Sequence, residues 1–166
     1  MAVDPLLSRP PVVPVLPPEN DVTSLLPGPN SVLAHVDEWS AAAATTPGAL
    51  VVLGLLRRDD HLPTPTSTLA AATAVVARSL RGDDWLGRWG DGEFGVLLPV
   101  PADAAETAAA RVTTALTDLG IPGLSACAGV VALDPEVPAR ETMRRATLSL
   151  RTARGTGPGS VVRHRG

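Results

Sequence analysis

Lysine is absent from this chain of 166 residues, and all 14 of its basic residues are arginines. A catalytic step that depends on a lysine amine is therefore excluded. The chain has one cysteine, Cys127, so it cannot form an internal disulfide, and a reducing cytoplasmic location is expected. Cys127 lies in an apolar stretch and is interpreted as a small core residue. No apolar run approaches the ~20 residues that span a bilayer, so no membrane-spanning helix is expected.

The charge balance and the N-terminal sequence set further limits. The formal net charge of −3 gives no reason to expect broad attraction to nucleic acid or anionic lipid. The first residues lack the basic start and uninterrupted apolar core of a secretory signal. Residues 1–19 are instead rich in proline, which predicts a disordered tail. Such a tail is either an unstructured leader or a docking segment for an unidentified protein partner.

Strand and helix patterns are mixed along the rest of the chain. Continuous apolar runs, typical of strands buried on both faces, cover residues 49–56 and 124–133. Apolar residues at helical spacing predict four helices. The first starts near Asn30 or Ser31, and the second covers 68–80. The third follows a D-x-x-E cap at Asp103 and Glu106, and the fourth covers 141–155. Residues 160–163 are a candidate edge strand. Strands with covering helices imply an α/β (α+β) sandwich.

Residues 81–99, RGDDWLGRWGDGEFGVLLP, are the most informative stretch. They predict two short strands joined by a tight turn at Asp91-Gly92, because two-residue hairpin turns need positive φ. This arrangement crowds Arg88, Asp91 and Glu93 at one exposed tip. A charged tip on a rigid hairpin is suited to chemistry or ligand binding.

The hairpin sequence RWGDGEF resembles the R-[YW]-G-G-D-E-F signature of diguanylate cyclase (GGDEF) domains, which condense two GTP molecules into cyclic di-GMP. The residues at the five signature positions are Gly90, Asp91, Gly92, Glu93 and Phe94. Three more stretches resemble landmarks of the family, in the family's order: DVTSLLPGPNS at 21–31, LSACAGVV at 124–131 and ETMRRATLSLRTARG at 141–155.

This resemblance predicts the domain limits and the fold. Residues 20–163 are expected to form one degenerate GGDEF domain, with residues 164–166 as a short tail. The family fold is the ferredoxin-like palm of nucleotide cyclases, a central mixed sheet flanked by helices. The degenerate signature is then carried by a β-hairpin.

The resemblance also predicts that the metal site of the family is lost. Joining two nucleoside triphosphates needs divalent metal, and Mg²⁺ prefers several oxygen ligands. The family supplies them from an Asp on its first strand and from the third and fourth signature positions. Here these positions hold Gly54 or Leu56, Gly92, and Glu93, so one carboxylate remains. Asp91 lies one residue early, and side-chain alternation is expected to turn it away. No metal and no cofactor are predicted.

Substrate recognition is altered as well. The family segment F-K-x-x-N-D-x-x-G-H-x-x-G-D, which reads guanine, is replaced at residues 57–67 by the shorter RRDDHLPTPTS. Asp59, Asp60 and His61 suggest a metal site, but the nearby prolines favour a solvated loop. The family's phosphate-contacting lysine is Arg154 here, and a planar guanidinium is not interchangeable with an ammonium group.

One family motif is kept. Arg81-Gly82-Asp83-Asp84 is an R-x-x-D motif at the offset from the signature where the family has its inhibitory product site. An arginine fork pairs with phosphate or the guanine O6/N7 edge, and an Asp accepts hydrogen bonds from guanine N1 and N2. Arg81 and Asp84 are therefore candidate cyclic di-GMP ligands or, alternatively, a structural pair between helix and strand.

Other side chains leave two interpretations open. Arg111 is a candidate for a second arginine of the product site, or an exposed helix residue. Trp85 and Trp89 either stack on a purine or belong to the core. Three arginines of the last predicted helix either attract phosphates or form a solvated helix face. They are Arg144, Arg145 and Arg151.

The selective loss of these positions predicts a catalytically inactive GGDEF-like domain that acts as a cyclic di-GMP receptor through Arg81 and Asp84. The first alternative is a protein-interaction module that binds no nucleotide. The second is a residual diguanylate cyclase that recruits Asp91 and Glu93 for metal.

Overall fold

The computed structural model describes residues 25–57 and 64–166. The predicted tail at 1–19, the predicted domain start at residue 20, and Asp59, Asp60 and His61 lie outside the described residues. In chain order the elements are α1 (Pro29–Ala42), β1 (Ala49–Arg57), α2 (Thr66–Ser79), β2 (Trp85–Gly90), β3 (Glu93–Leu98), α3 (Ala102–Thr117), β4 (Leu124–Ala132), α4 (Ala139–Thr156) and β5 (Val161–Arg163). Within the described ranges, none of the helices combines the length and apolar character needed to cross a bilayer.

The five strands form one mixed sheet in the order β2-β3-β1-β4-β5. β1 lies antiparallel between β3 and β4, β2 pairs antiparallel with β3, and β5 pairs parallel with β4. The path from β1 to β4 is β-α-β-β-α-β, which in this strand order is the ferredoxin-like arrangement. The predicted sandwich of a mixed sheet flanked by helices is confirmed.

Side-chain alternation along β1 builds a core on both faces of the sheet. Val51 and Leu53 belong to an apolar cluster with α2 and α3, whereas Leu50 and Val52 belong to a second cluster with α1 and α4. The two sides of the sheet are named the α2/α3 face and the α1/α4 face below. Burial on both faces explains why β1 and β4 are continuous apolar runs in the sequence.

The predicted hairpin is confirmed. Gly90 pairs with Glu93, which leaves Asp91 and Gly92 as the two turn residues, and Gly92 has φ of +64°. A register shift between Arg88 and Gly90 places a bulge just before the turn.

The helix starts differ from those predicted, and each has a proline at or next to its boundary. The N-cap residues of α2, α3 and α4 are Pro65, Pro101 and Pro138, and α1 begins with Pro29. The predicted caps at Asn30 or Ser31 and at Asp103 with Glu106 are wrong, since no side-chain cap hydrogen bond forms in α1 or α3. Proline has its φ already fixed for a helix start and carries no N–H that needs a partner.

Candidate functional site

A cavity of about 570 Å³ lies on the α2/α3 face, between the end of α2, α3 and the sheet. Its volume falls within the roughly 300–1,000 Å³ of small-molecule sites. Apolar side chains of β1 and β3 line it, including Val51, Leu53 and Val96. The charged residues that line it are Arg81, Asp83, Asp84 and Arg111. The structure therefore brings Arg81, Asp84 and Arg111 together at one cavity.

The R-x-x-D motif forms a turn between α2 and β2. The Asp84 carboxylate accepts a hydrogen bond from the Arg81 backbone N–H at 2.7 Å, and the Asp84 N–H donates to the Arg81 carbonyl at 3.1 Å. Arg81 and Arg111 are exposed, and neither guanidinium forms an ion pair within residues 25–57 and 64–166. The motif and α3 thus each place one exposed guanidinium group at the cavity, and the half-buried Asp84 lines the same cavity.

The two tryptophans of β2 lie on the other side of the sheet. Trp85 and Trp89 are half-buried against the apolar cluster of the α1/α4 face. The Trp85 ring stacks on His35, with ring centroids 4.2 Å apart. Neither tryptophan lines the cavity, so stacking on a purine bound there is excluded and the core interpretation holds.

Glu93, the carboxylate that remains at the signature, is paired with an arginine. Its Oε1 accepts a hydrogen bond from Arg154 Nη1 at 3.0 Å, and the two side chains are only 22% and 33% exposed. Gly54 lies directly opposite Glu93 in the β1–β3 register. A Cβ atom on Gly54 would lie 2.5 Å from Arg154 Nη2. The guanidinium therefore fills the space next to Glu93 where a first-strand side chain would project.

The other hairpin residues supply no second ligand at this position. Asp91 is exposed at the turn. A Cβ atom added to Gly92 would lie 3.5 Å from the Cβ atom of Leu55 on β1, so a side chain at position 92 would face an apolar residue. Arg88 is exposed, and its backbone N–H donates to the Pro27 carbonyl at 2.7 Å. The prediction that Glu93 shares one exposed tip with Arg88 and Asp91 is wrong, because Glu93 points inward to α4.

A divalent metal does not fit the residues at this position. One carboxylate is present, and its charge is balanced by a fixed cation at hydrogen-bond distance. Across the described part of the chain, no three His, Cys, Asp or Glu side chains form a group that could hold a metal ion. Mg²⁺ requires several converging oxygen ligands, and at this position the Glu93 carboxylate is the one side chain that supplies oxygen.

Sequence reasoning identified Arg154 as a lysine replacement but missed its partner. The pair has no local signal, although Glu93, Arg154 and either Gly54 or Leu56 fall at positions that the resemblance assigns to metal or phosphate. The apolar lining of the cavity was missed as well. Val51, Leu53 and Val96 are core residues under the cavity, and the cavity above them depends on how α2 and α3 pack.

Comparison with known proteins gives a sequence relative and several solved structures of similar fold. No family model matches the chain. An alignment of 96 positions, which covers 54% of this chain, shows 35% identity to the probable diguanylate cyclase DgcC of Escherichia coli. The chain spans 26% of the length of that protein.

Solved structures with a similar fold include three GGDEF proteins. The diguanylate cyclase SiaD of Pseudomonas aeruginosa, in complex with its activator SiaC, has a TM-score of 0.73 at 21% identity, covering 87% of this chain and 61% of that chain. The GGDEF domain of DgcB from Caulobacter crescentus, in complex with c-di-GMP, has a TM-score of 0.73 at 17% identity, with coverages of 85% and 90%. The FimX GGDEF domain of Pseudomonas aeruginosa has a TM-score of 0.73 at 20% identity, with coverages of 86% and 97%.

These structures assign the chain the palm fold of GGDEF cyclases. Together with the DgcC match, they identify it as a GGDEF-like domain.

Proposed function

We propose that this GGDEF-like domain has lost diguanylate cyclase activity and binds cyclic di-GMP as a signalling receptor. The ligand would occupy the cavity beside Arg81, Asp84 and Arg111. A cytoplasmic location is part of the proposal, since the single cysteine is buried and unpaired. The observation that carries the proposal is the contrast between two places in the fold. Arg81 and Arg111, which have no ion pair among the described residues, line one cavity, whereas the signature carboxylate is already bound by Arg154.

Loss of catalysis is supported by the surroundings of Glu93. Phosphoryl transfer between nucleotides depends on metal ions that neutralise phosphate charge and activate the attacking hydroxyl. The Arg154 guanidinium is 3.0 Å from the Glu93 carboxylate, and Gly54 contributes no ligand. A second cation at this position would have to displace the arginine and then bind through a single carboxylate. The need to displace Arg154 disfavours the residual-cyclase alternative.

Ligand binding is supported by the chemistry of the cavity. Cyclic di-GMP carries two phosphodiesters and two guanine bases, so it presents anionic oxygens and flat hydrogen-bonding edges. The Arg81 and Arg111 forks match phosphate or the O6/N7 edge, and the Asp84 carboxylate matches guanine N1–H and N2–H. The half-buried apolar residues of the lining, Leu80, Val100 and Ala108, provide a surface for the base faces. The DgcB neighbour was solved in complex with c-di-GMP, which makes this ligand the first to test.

Isothermal titration of cyclic di-GMP tests the receptor proposal. Arg81→Ala and Arg111→Ala should each weaken binding at least tenfold, because a charge-assisted contact contributes about 1.5–3 kcal/mol. Asp84→Asn keeps an oxygen that can accept from the Arg81 N–H but removes the charge, so it should weaken guanine recognition without opening the turn. Arg88→Ala is the matched control, since Arg88 is exposed and lies outside the cavity. Absence of binding at about 1 mM ligand, or an unchanged affinity in Arg81→Ala, contradicts the proposal.

Incubation with GTP and either Mg²⁺ or Mn²⁺ tests the loss of catalysis. Chromatography of the reaction should show no cyclic di-GMP from the wild-type protein. A product peak that disappears in Glu93→Gln would support the residual-cyclase alternative instead.

The alternative of a nucleotide-free interaction module rests on a different observation. The Asp84 carboxylate is already bonded to the Arg81 backbone, as in a purely structural turn. If the titration shows no binding of cyclic di-GMP, GTP or GDP, this alternative is favoured. The SiaD structure, which contains the activator SiaC, is an example of a GGDEF protein bound to another protein.

A further inference from the structure

A second groove, of about 360 Å³, lies on the α1/α4 face of the domain, across the sheet from the cavity. We name it the α4 groove. The side chains that matter for its chemistry are Leu33 of α1, Trp89 of β2, and Arg140, Arg144, Leu148 and Arg151 of α4. Neither the resemblance nor the proposed function assigns it a role.

Apolar side chains stay open to solvent in this groove. Leu148 is 39% exposed in the middle of α4, and it is one of two large apolar side chains that are exposed among the described residues. Leu33 and Trp89 are half-buried beside it. Exposed apolar groups of this kind, next to tryptophan and arginine, are typical of the centres of protein interfaces.

The charged side chains of the groove all have the same sign. Arg140, Arg144 and Arg151 line it, and no acidic residue does. At 100° per residue these three positions lie within about 40° of one another on α4, and at 1.5 Å per residue they span about 16 Å. In a protein of net charge −3, this is a local concentration of positive charge.

Glu141, just outside the groove, shows how these arginines bind a carboxylate. It accepts hydrogen bonds from Arg144 Nε and Nη2 at 2.7 and 2.8 Å, and from Arg145 Nε at 3.0 Å. Arg140 and Arg151 are exposed and have no ion pair with any residue that the structure describes. They are therefore free to bind carboxylates from another molecule.

We propose that the α4 groove is a docking surface for an acidic segment of a partner protein. The segment places an apolar side chain against Leu33, Trp89 and Leu148, and its carboxylates bind Arg140 and Arg151 on either side. An extended chain rises about 3.3 Å per residue and alternates its side chains, so acidic residues at positions i and i+6 point to the same face about 20 Å apart. With an apolar residue between them, they fit two arginines whose Cα atoms are about 16 Å apart and whose side chains are long. The apolar side chains lie in a groove between α1, β2 and α4, which admits a single peptide side chain better than a flat membrane surface or a nucleic-acid backbone. This site shares no residue with the cavity and stands independently of the proposed function.

Fluorescence anisotropy with a labelled synthetic peptide tests the docking surface. The probe has the sequence Gly-Glu-Glu-Ser-Leu-Leu-Ser-Glu-Glu-Gly, with blocked ends, and the comparison peptide has Gln in place of every Glu. The acidic peptide should bind at least tenfold more tightly than the Gln peptide. The double variant Arg140→Glu/Arg151→Glu and the single variant Leu148→Ser should each weaken binding of the acidic peptide at least tenfold.

The matched control keeps the same change in net charge but moves it away from the groove. Arg78→Glu/Arg165→Glu alters two exposed arginines outside the groove and should leave peptide binding within twofold of the wild type. Equal loss in both double variants would show attraction by net charge alone and would overturn the proposal. Absence of peptide binding at about 1 mM protein would overturn it too, as would retention of full affinity in Leu148→Ser. Vesicles with anionic lipid and inorganic polyphosphate are added as competitors. If either binds the groove more tightly than the peptide does, the occupant is not a protein segment.

Titration of cyclic di-GMP into Arg140→Glu/Arg151→Glu separates this proposal from the proposed function. That variant should bind the cyclic dinucleotide as the wild type does, so each proposal can fail while the other holds.

Discussion

Arg154 and Glu93 are 61 residues apart in the chain, yet the arginine Nη1 is 3.0 Å from the Glu93 carboxylate and joins the last helix to the hairpin. The same guanidinium also fills the space beside Gly54 on β1. A covalently attached cation thus balances the carboxylate at the place where the resembled family binds metal. Because the Arg154 guanidinium is part of the chain, it stays beside Glu93 without a metal ion bound from solution.

Removal of Arg154 should destabilise the fold. In Arg154→Ala, Glu93 keeps a mostly buried charge without a partner, which costs about 1–2 kcal/mol in unfolding free energy. Urea denaturation measures this change. Arg163→Ala is the matched control, since its 3.6 Å pair with Glu106 is more open to solvent, and its effect should stay within about 0.5 kcal/mol. Equal effects of the two variants would contradict a structural role for Arg154.

A side chain at position 54 should compete with Arg154 for space. An added Cβ would lie 2.5 Å from Arg154 Nη2 and 3.1 Å from Leu150 Cδ2, so Gly54→Ala should cost about 1–3 kcal/mol. The cost should be smaller in an Arg154→Ala background, because only the Leu150 contact remains. Four unfolding curves form the double-mutant cycle, and a coupling above about 0.5 kcal/mol is expected. Strict additivity would show that the two positions do not interact.

Close approach of α4 to the sheet depends on Gly129 of β4. An added Cβ there would collide with the Ala146 carbonyl oxygen and lie 2.5 Å from the Leu150 nitrogen, both backbone atoms of α4. Gly129→Ala should therefore cost about 3 kcal/mol, because the whole helix would have to move. Gly155→Ala in α4 meets no atom within 4 Å and should stabilise the fold by about 0.5–1 kcal/mol. Thermal unfolding followed by circular dichroism measures both changes, which should have opposite signs.

Acid should remove a stabilising contribution from Glu141. The pKa of Glu141 is lowered from 4.5 to about 2, chiefly because Arg144 and then Arg145 donate hydrogen bonds to its carboxylate. A carboxyl group with a lower pKa in the folded state stabilises the fold above its unfolded pKa. That contribution is lost as the pH falls from about 4.5 towards 2. Parallel urea titrations of the wild type and Glu141→Gln should show the wild-type advantage shrinking over this range. A difference that stays constant with pH would contradict the assignment.

Much of the fold could be predicted because its signals are local. The apolar runs at β1 and β4 are long enough to read as strands, and Asp91-Gly92 marks a hairpin turn through the backbone preference of two residues. The predicted helix starts are wrong because they rest on side-chain caps at Ser, Asn and Asp. The chain instead has N-cap prolines, Pro65, Pro101 and Pro138, whose fixed φ reduces the entropy lost at the helix start but supplies no capping hydrogen bond.

The site could be predicted only in part. The offset of Arg81 and Asp84 from the signature, with Arg111 on the next helix, pointed to residues that the structure does bring to one cavity. The Arg154–Glu93 pair has no local signal, since it depends on how α4 lies across β1 and β3. The same holds for the α4 groove, where Trp89 meets a helix more than 50 residues further along the chain.

The burial of Cys127 makes the domain easy to label at a chosen position. Its side chain is 0% exposed, and its thiol donates to the Gly157 carbonyl at 3.3 Å, so reagents in solution do not reach it while the fold is intact. It is also the one cysteine of the chain. A cysteine introduced at the exposed Ala110 would therefore take a fluorophore selectively, next to Arg111 and the cavity. Occupancy of the cavity then becomes an optical signal in the otherwise unmodified domain.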